Sequence, residues 1–411
     1  MTFYQLPRGF LMTFSQNKSV WLITGGALVL FLSLGIRHGF GLFLHPMSAE
    51  FGWGREVFAF AMAIQNIIWG VAQPFAGALA DRFGTRRTII TGAIFYTAGL
   101  MLMGFAHTPL LLSLSTGLLI GIGLSGTSFS VILGAIGRAV PAEKRSMAMG
   151  LTAAAGSFGQ FAMLPGSMVL IHWLGWASAL IALGMIAMLM LPAAALFQRQ
   201  EAAHSEPHQT MSEALREALG HSGFWLLSLG FFVCGFQVVF IGVHLPSYLM
   251  DNHLPVIAGT TTLALVGLFN VFGTYFAGML GSRYSKTKLL SLIYIVRAVI
   301  ITLFISFPVT TWSAYCFGIA MGLLWLSTVP LTNGTVATMF GVRNLSMLGG
   351  IIFLMHQAGA FLGGWLGGYL YDITGSYSIV WYVSIVLSVI AAALNWPIRE
   401  VSKRALTGLK V

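Results

Sequence analysis

Gly77-Ala-Leu-Ala-Asp-Arg-Phe-Gly-Thr-Arg-Arg87 is a basic turn framed by glycines, and it lies between two long apolar segments. Gly77 has no side chain and lets two helices approach closely, and Gly84 allows a tight reversal. Asp81 is placed to accept hydrogen bonds from a helix N-terminus or from a neighbouring guanidinium. The turn therefore reads as a loop between membrane-spanning helices, and its three arginines hold it on the cytoplasmic side: Arg82, Arg86 and Arg87.

The same turn recurs in the second half of the chain, as Gly278-Met-Leu-Gly-Ser-Arg-Tyr-Ser-Lys-Thr-Lys288. Gly278 follows Gly77 by 201 residues, and the turn again separates two apolar segments. Arg283 is retained, but Ser282 stands in place of the aspartate. The two halves of the chain look like duplicates, and the acidic contact of the first copy is lost in the second. We expect both copies of the turn to act as conformational loops, through Gly77, Asp81, Arg82, Gly84, Arg86, Arg87, Gly278 and Arg283.

Composition indicates an integral membrane protein. Of 411 residues, 57% are hydrophobic and only 8% are charged, whereas about a quarter of the residues of a soluble domain are charged. The net charge of +10 sits in short loops between apolar segments, so it reflects membrane topology and not nucleic-acid binding. Both cysteines, Cys234 and Cys316, lie in apolar segments, which predicts packing residues and neither a disulfide framework nor a thiol site.

Twelve apolar segments are long enough to cross a bilayer, which takes about 20 residues each. They fall at 20–44, 57–80, 88–106, 109–134, 146–170, 173–197, 223–245, 256–281, 289–307, 312–336, 345–371 and 376–397. We therefore predict an all-α membrane protein of two six-helix bundles, at 1–197 and 223–411, joined by a cytoplasmic linker at 198–222. Within that linker, Met211 to Leu219 is expected to form a short amphipathic helix on the inner membrane surface.

The distribution of lysine and arginine predicts the orientation. With both termini in the cytoplasm, only Arg55 falls on the outer side, and Arg37 and Arg297 fall inside segments 1 and 9. The other eighteen of the 21 basic residues lie in cytoplasmic segments, as the positive-inside rule requires.

No enzyme motif, nucleotide-binding loop or cysteine pair is present, and no cofactor is expected. His204 and His208 in the linker are separated by Pro207 and lack a carboxylate cluster, so no metal site is expected either. Without a nucleotide site, transport must be driven by gradients, with the two halves rocking about a central site.

Two arginines inside the membrane are the main candidates for binding a substrate. A charge at this depth costs at least about 2.5 kcal/mol on insertion scales, so Arg37 and Arg297 need a reason to lie there. All acidic residues fall in loops or at segment ends. A guanidinium without a protein anion matches a carboxylate through two parallel hydrogen bonds, which favours an anionic substrate. Alternatively, Arg37 contributes to a gate or a helix contact, and Arg297 donates to backbone carbonyls of segment 8 or 10.

Uncharged polar residues at the same depth form a second set of candidates for substrate binding. Each can equally be an interhelical hydrogen bond, and only convergence on one cavity would make the set functional. They are Gln160, Gln237, Asn270, His356 and Gln357.

Histidine is the remaining titratable residue type for proton coupling inside the membrane. His38 adjoins Arg37, whose charge opposes its protonation, whereas His356 has no such neighbour in sequence, so His356 is the better candidate. The substrate could also bring the proton, and exchange of one anion for another would need none.

The turn at Gly77 resembles the signature between the second and third helices of the major facilitator superfamily of transporters. Gly35-Ile-Arg-His-Gly-Phe-Gly-Leu-Phe43, Phe51-Gly-Trp-Gly-Arg55, Cys234-Gly-Phe236 and His244-Leu-Pro246 are similar to bacterial relatives of the monocarboxylate and oxalate/formate carriers. This resemblance implies a short monocarboxylate as substrate, a cavity lined by segment 1, and a peripheral segment 9. Those carriers tend to place a substrate-binding arginine in segment 8, where this chain has Asn270.

We therefore expect a secondary active transporter of a small organic anion, working by proton symport or anion exchange. Its partners would be the substrate, the lipid bilayer and possibly protons; we expect a monomer, in a bacterial cytoplasmic membrane. The many aromatic and methionine side chains keep open an exporter of amphipathic drugs or metabolites. A sensor that binds without transport is the third reading, although it lacks a long soluble output domain.

Overall fold

The computed structural model describes residues 8–53, 55–197 and 210–400 of the chain. Within these ranges, only the backbone is described at 8–18, 44, 45, 48, 49, 55, 56, 59, 256 and 372. Every regular element in the described ranges is a helix. His204 and His208 lie outside the described residues.

Six membrane-crossing helices, α1 to α6, form the first half. They are α1 (Arg8–His38), α2 (Arg55–Phe83), α3 (Thr85–Met103), α4 (Pro109–Ala139), and α5 and α6, which are the parts of Ala142–Ala194 before and after Gly175. A short helix, Gly41–Phe51, lies between α1 and α2. Helix α4 contains a π-helical turn at Ser113–Leu119 and a break at Ser128, where the backbone is extended.

Six further crossing helices, α7 to α12, form the second half. They are α7 (Ser222–Asp251), α8 (Val256–Gly281), α9 (Lys286–Ser306), α10 (Thr311–Phe340), α11 (Leu345–Thr374) and α12 (Ser378–Asn395). Helix α10 consists of two parts, Thr311–Leu324 and Thr328–Phe340.

The structure confirms the twelve predicted crossings. By length and composition, nine spans in the described part of the chain are apolar enough to cross a membrane. The span Ala142–Ala194 holds two crossings, because Gly175 adopts φ 77° and ψ 164° and interrupts the helix. Helices α2 and α3 supply the remaining two, with 29 and 19 residues.

The loop between α2 and α3 turns at Gly84, whose φ is +99°. A residue with a Cβ rarely adopts this conformation, so the expected tight reversal is confirmed.

Two helix pairs form the main contacts between the halves, α2 with α11 and α5 with α8, and we call these two contacts the seams. A Cβ added to Gly77 would lie 2.2 Å from the Ser346 carbonyl oxygen of α11, which confirms the close approach expected at Gly77. In the second pair, a Cβ on Gly278 would lie 2.5 Å from the Cα of Gly150 in α5. The two copies of the turn thus each place a glycine against a helix of the other half, where a methyl group would not fit.

The predicted short helix in the linker is present at Met211–Leu219. Thr210 and Glu213 begin it with a capping box, in which the Thr210 hydroxyl accepts from the Glu213 N–H and the Glu213 carboxylate accepts from the Thr210 N–H. The exact limits of the two bundles, at 197 and 223, stay a prediction.

Candidate functional site

The contacts between the halves begin at Asp81, at the end of α2. The Asp81 carboxylate accepts a 2.8 Å hydrogen bond from the Met347 N–H, in the first turn of α11, and pairs with the Arg138 guanidinium of α4. Arg138 also donates to the hydroxyls of Thr85, at 2.9 Å, and Ser346, at 3.2 Å. The carboxylate therefore has both partner types expected for it, a helix N-terminus and a guanidinium. We call this end of the molecule the Asp81 end.

The second copy of the turn repeats this arrangement without a charge. The Ser282 hydroxyl accepts a 2.9 Å hydrogen bond from the Met147 N–H near the start of α5. Ser282 thus occupies the place of Asp81, and a neutral hydrogen bond replaces the ionic contact, as the sequence predicted.

The other basic residues of the two turns point away from these contacts. Arg82, Arg86, Arg87 and Arg283 are exposed, and the Arg82 guanidinium lies 5.2 Å from the centre of the Phe83 ring. Their assignment to a conformational loop stays a prediction.

Arg37 lies in the last turn of α1 and contacts only uncharged groups of α2. Its guanidinium donates to the Gln65 side-chain oxygen at 3.2 Å and to the Asn66 side-chain oxygen, and it lies 4.9 Å from the centre of the Trp69 ring. Gln65 is in turn fixed by donating to the Thr116 carbonyl at 2.9 Å. Within the described residues, Arg37 has no carboxylate partner and is only half-buried. No described carboxylate therefore compensates its positive charge.

An aromatic stack connects Arg37 to the second half of the molecule. The Trp69 ring lies 4.8 Å from Phe353, Phe353 lies parallel to His356 at 5.4 Å, and His356 lies 4.8 Å from Phe231. The stack thus passes from α2 to α11 and on to α7, and it separates Arg37 from the Asp81 end.

Gln357 and His356 accompany this stack at the same depth. Gln357 donates across the seam to the Asn66 carbonyl at 3.5 Å, and the His356 Nδ1 lies 3.3 Å from the Gln357 side-chain oxygen. Of the second set of candidates, these two lie near Arg37. His38 is exposed, and its Nδ1 lies 2.8 Å from the Leu34 carbonyl one turn earlier.

Arg297 is arranged differently, although the sequence places it in the same class as Arg37. It is fully buried and donates to the Leu324 and Trp325 carbonyls at the break in α10 and to the Gln237 side-chain oxygen at 3.2 Å. This geometry corresponds to the alternative in which Arg297 donates to backbone carbonyls of helix 10. A substrate contact by Arg297 stays a prediction.

Gln237, Asn270 and Gln160 are buried, and the first two make hydrogen bonds between helices. Gln237 donates to α12, and the Asn270 side-chain oxygen accepts from the Leu326 N–H at 3.0 Å, at the α10 break. Asn270 also donates across the seam to Ser157 at 2.9 Å. Gln160 is buried on α5, 8% exposed. The described contacts thus do not bring the whole set together, and its role in substrate binding stays a prediction.

The contacts across both seams lie on one side of Arg37. Along α2 they run from Asp81 through Gly77 to Asn66, and along α8 from Ser282 through Gly278 to Asn270. These contacts close the molecule at the Asp81 end, and Arg37 lies at the level where they end.

Sequence reasoning missed the role of Arg138, and it did not connect Asn66, Trp69 and Phe353 with Arg37. A signal was available for α2, because Gln65, Trp69 and Gln73 follow one another at intervals of four residues and Asn66 lies three residues before Trp69, which places them on one helix face. For Arg138, the sequence showed only a position in a short loop, so it was counted among the basic residues that set the membrane orientation.

Several named proteins are similar to the chain over most of its length. It is 26% identical over 374 residues to an uncharacterized MFS-type transporter, YcxA, of Bacillus subtilis, covering 87% of this chain and 90% of that protein. It is 25% identical to human monocarboxylate transporter 11, covering 89% and 79%. It is also 25% identical to the oxalate:formate antiporter of Oxalobacter formigenes, covering 92% and 90%.

Solved structures show the same fold at low identity. The fucose:proton symporter FucP of E. coli matches with a TM-score of 0.71 at 15% identity, covering 91% of this chain and 97% of that one. The proton:xylose symporter XylE matches with a TM-score of 0.73 at 14% identity, covering 97% and 99%. These likenesses establish the fold of two six-helix bundles.

The family model described as Major Facilitator Superfamily matches residues 26–336. The matched family and the relatives are transporters and not enzymes, and they imply a small-molecule substrate and a multi-pass position in the membrane. With the duplicated turn, the twelve crossings and the seams between two halves, these matches show that the chain belongs to the Major Facilitator Superfamily of transporters.

Proposed function

We propose that this transporter moves a small organic anion of the monocarboxylate type across the cytoplasmic membrane, by proton symport or anion exchange. The observation that supports the proposal is the charge of Arg37, which no described carboxylate compensates. Arg37 lies where the contacts of the two seams, counted from the Asp81 end, stop.

The neighbours of Arg37 favour an anion as ligand. Gln65 and Asn66 accept through neutral oxygens, so they orient the guanidinium without neutralising it. A carboxylate supplies the missing negative charge and accepts two parallel hydrogen bonds from a guanidinium. The Trp69 ring beside it offers an apolar surface for a short hydrocarbon tail.

The seams fit alternating access with Arg37 at the substrate. Contacts between the halves close the Asp81 end and stop at the depth of Asn66 and Asn270. If the Asp81 end faces the cytoplasm, as the positive-inside rule predicts, this state is open to the outside. Rocking the halves would then break the contacts of Asp81 and Ser282 and release the substrate inward.

The named relatives support the substrate class. A monocarboxylate transporter and an oxalate:formate antiporter both carry carboxylates by name, and both align over most of this chain. The bacterial cytoplasmic membrane as location, the cytoplasmic termini and a monomeric state belong to the same proposal.

The test measures ligand-induced thermal stabilisation of the detergent-purified protein with a panel of small carboxylates, neutral analogues and lipophilic cations. A ligand that binds only the folded state stabilises it by mass action and so raises the melting temperature. At a ligand concentration one hundred times the Kd, the free energy of unfolding rises by about 2.7 kcal/mol. We expect stabilisation by carboxylates in the natural protein and its loss in Arg37→Gln.

Arg399→Gln is the matched control, because it removes the same charge from an exposed residue after the last crossing helix. It should keep the carboxylate response. Stabilisation by lipophilic cations or neutral amphiphiles alone, in all three proteins, would contradict the anion proposal and favour the amphipathic exporter.

A further inference from the structure

A small cavity lies between the two halves of the molecule, next to the break in α4. Phe129 and Ser130 follow the break at Ser128, and both line the cavity. Helices α7, α10 and α11 form the rest of its wall. Because α4 belongs to the first half and the other three helices to the second, groups of both halves meet in this cavity.

The cavity lies between the aromatic stack and the Asp81 contact. Phe231 and Phe353, which belong to the stack, line it on one side. Gly349, also in its wall, lies on α11 between Met347, which donates to Asp81, and the stack. The cavity therefore belongs to the closed part of the molecule.

The side-chain oxygen of Asn333 faces this cavity without a hydrogen-bond donor. Asn333 is only 6% exposed, and its side-chain nitrogen donates to the Val329 carbonyl at 3.0 Å. Its oxygen is buried and has no hydrogen-bond partner among the described residues. A Cβ added to Gly349 would lie 2.8 Å from this oxygen, so the oxygen faces the part of the wall that has no side chain. A buried acceptor of this kind is costly unless it receives a hydrogen bond.

The size and lining of the cavity indicate which donor it takes. It has room for about one water molecule. Its other polar side chains are the hydroxyls of Ser130 and Thr332, and no residue in its wall is charged. A divalent cation takes about six or more oxygen ligands, usually with a carboxylate among them, which this wall does not offer. Water can donate to the Asn333 oxygen and also accept from a hydroxyl.

One water molecule can reach both halves from this position. The Cβ added to Gly349 would lie 2.8 Å from the Asn333 oxygen and 3.8 Å from the Ser130 Cβ, so both side chains border the same point. Within the described part of the chain, no direct hydrogen bond joins Ser130 to Asn333, so a bridging molecule would supply their connection.

We propose that this cavity binds one water molecule, which joins Asn333 of the second half to Ser130 of the first half by hydrogen bonds. The water is a further contact between the halves, beside the two seams. A water-mediated hydrogen bond is nearly as favourable as a direct one, and this water can exchange with the solvent when the Asp81 end opens. The proposal goes beyond the proposed function, because it does not depend on which substrate is carried.

X-ray radiolysis of the purified full chain tests for the water directly. Hydroxyl radicals formed from a bound water modify the side chains around it, and mass spectrometry locates the modified residues. We expect Phe231 and Phe353 to be modified several-fold faster than Phe236 and Phe240, which are also buried but do not line the cavity. Equal rates for the two pairs would overturn the proposal.

Two glycine variants show whether the modification comes from this cavity. Gly349→Ala places a methyl group beside the Asn333 oxygen and should abolish the fast modification of Phe231 and Phe353. Gly242→Ala is the matched control on α7, where an added Cβ would meet nothing within 4 Å, and it should keep the fast modification. Fast modification that persists in Gly349→Ala would contradict the proposal.

Met347 provides an internal control for opening of the Asp81 end. It is buried in the contact with Asp81, so radicals from the solvent modify it only when this end opens. We expect its rate to be the same in the natural protein and in Gly349→Ala. If the rates of Phe231 and Phe353 instead change in parallel with that of Met347, opening explains the modification and the water proposal is wrong.

A double-mutant cycle tests the bridge between the halves. We expect Ser130→Ala and Asn333→Leu each to lower the melting temperature, and the double variant to lose less than the sum of the two, because either substitution already breaks the bridge. The same cycle in the Gly349→Ala background should show no coupling, since the methyl group takes the place of the water. Additive losses in the natural background, or a coupling that survives Gly349→Ala, would overturn the bridge. Carboxylate stabilisation that depends on Arg37 tests the proposed function separately.

Discussion

Asp81 in the first half of the molecule accepts from the backbone N–H of Met347 in the second half, at 2.8 Å. The contact places a carboxylate at the N-terminus of α11, where unpaired N–H groups and the helix dipole favour a negative charge. On the other seam, Ser282 makes the corresponding contact with Met147, without a charge. At this end of the molecule, a charged hydrogen bond therefore joins α2 to α11, and a weaker neutral hydrogen bond joins α8 to α5.

This difference predicts unequal costs for removing the two contacts. We expect Asp81→Asn to lower the free energy of unfolding by about 2 kcal/mol, because hydrogen bonds of charged groups contribute about 1.5–3 kcal/mol. Ser282→Ala should cost about 1 kcal/mol, as a neutral hydrogen bond does. Thermal unfolding in detergent measures both, and equal losses would contradict the ranking.

Gly77→Ala is predicted to prevent tight closure at the Asp81 end. The new methyl group would lie 2.2 Å from the Ser346 carbonyl oxygen, so α2 and α11 must separate. Overpacking of this kind costs about 1–3 kcal/mol, and uptake should slow because one closed state is disfavoured.

Gly267→Ala is the control for this substitution, since Gly267 lies in α8 and an added Cβ would meet nothing within 4 Å. It should change stability by no more than about 1 kcal/mol, in the stabilising direction. Normal closure and uptake in Gly77→Ala would contradict the prediction, because they would show that α2 and α11 accommodate the added methyl group.

Asn66→Asp is predicted to abolish carboxylate binding. The substitution places a carboxylate next to the Arg37 guanidinium, where it competes with the substrate for the same charge. Asn66→Ala removes the hydrogen bond without adding a charge and should weaken binding far less. Thermal stabilisation by the carboxylate panel measures both, and a full response in Asn66→Asp would mean that Arg37 is not the anion site.

Glu400 is predicted to make stability depend on acidic pH. Partial burial raises its pKa, but hydrogen bonds from Ser285 at 2.6 Å and the Thr287 N–H at 2.8 Å, with the charge of Lys286, hold the pKa below its ordinary value of 4.5. The stabilisation is therefore present above pH 4.5 and is lost as pH falls through the lower pKa of the folded state. Melting temperatures of the natural protein and Glu400→Gln should differ near pH 7 and converge as the pH falls below the pKa of the folded state. A constant difference over this range would contradict the assignment.

Much of the fold could be predicted from sequence because membrane crossing depends on length and hydrophobicity alone. The glycine turn at 77–87 and its repeat predicted the duplicated halves, the close approach at Gly77 and both partner types of Asp81. Arg37 and Arg297 are alike as single arginines in apolar segments, and only the family resemblance, with segment 1 at the cavity and segment 9 at the periphery, distinguished them.

What separates the two arginines is the break in α10, which leaves the Leu324 and Trp325 carbonyls without helical partners. Arg297 donates to both of them, and Asn270 accepts from the Leu326 N–H in the same break. Pro330 hints at the break, since proline has no N–H and disturbs the preceding turn. Which distant side chains satisfy the freed groups depends on tertiary packing, and no local pattern reports it.

The partners of Arg297 also constrain how the second half is assembled in the membrane. An arginine in an isolated helix α9 would enter the bilayer at a cost of about 2.5 kcal/mol or more, and α9 can bear this because the rest of the segment is strongly apolar. The carbonyls that accept from Arg297 lie on α10, which is synthesised later. The hydrogen bonds of Arg297 can therefore form only after α10 has inserted. Variants that delay the insertion of α10 should leave α9 less stable in the membrane and more open to degradation.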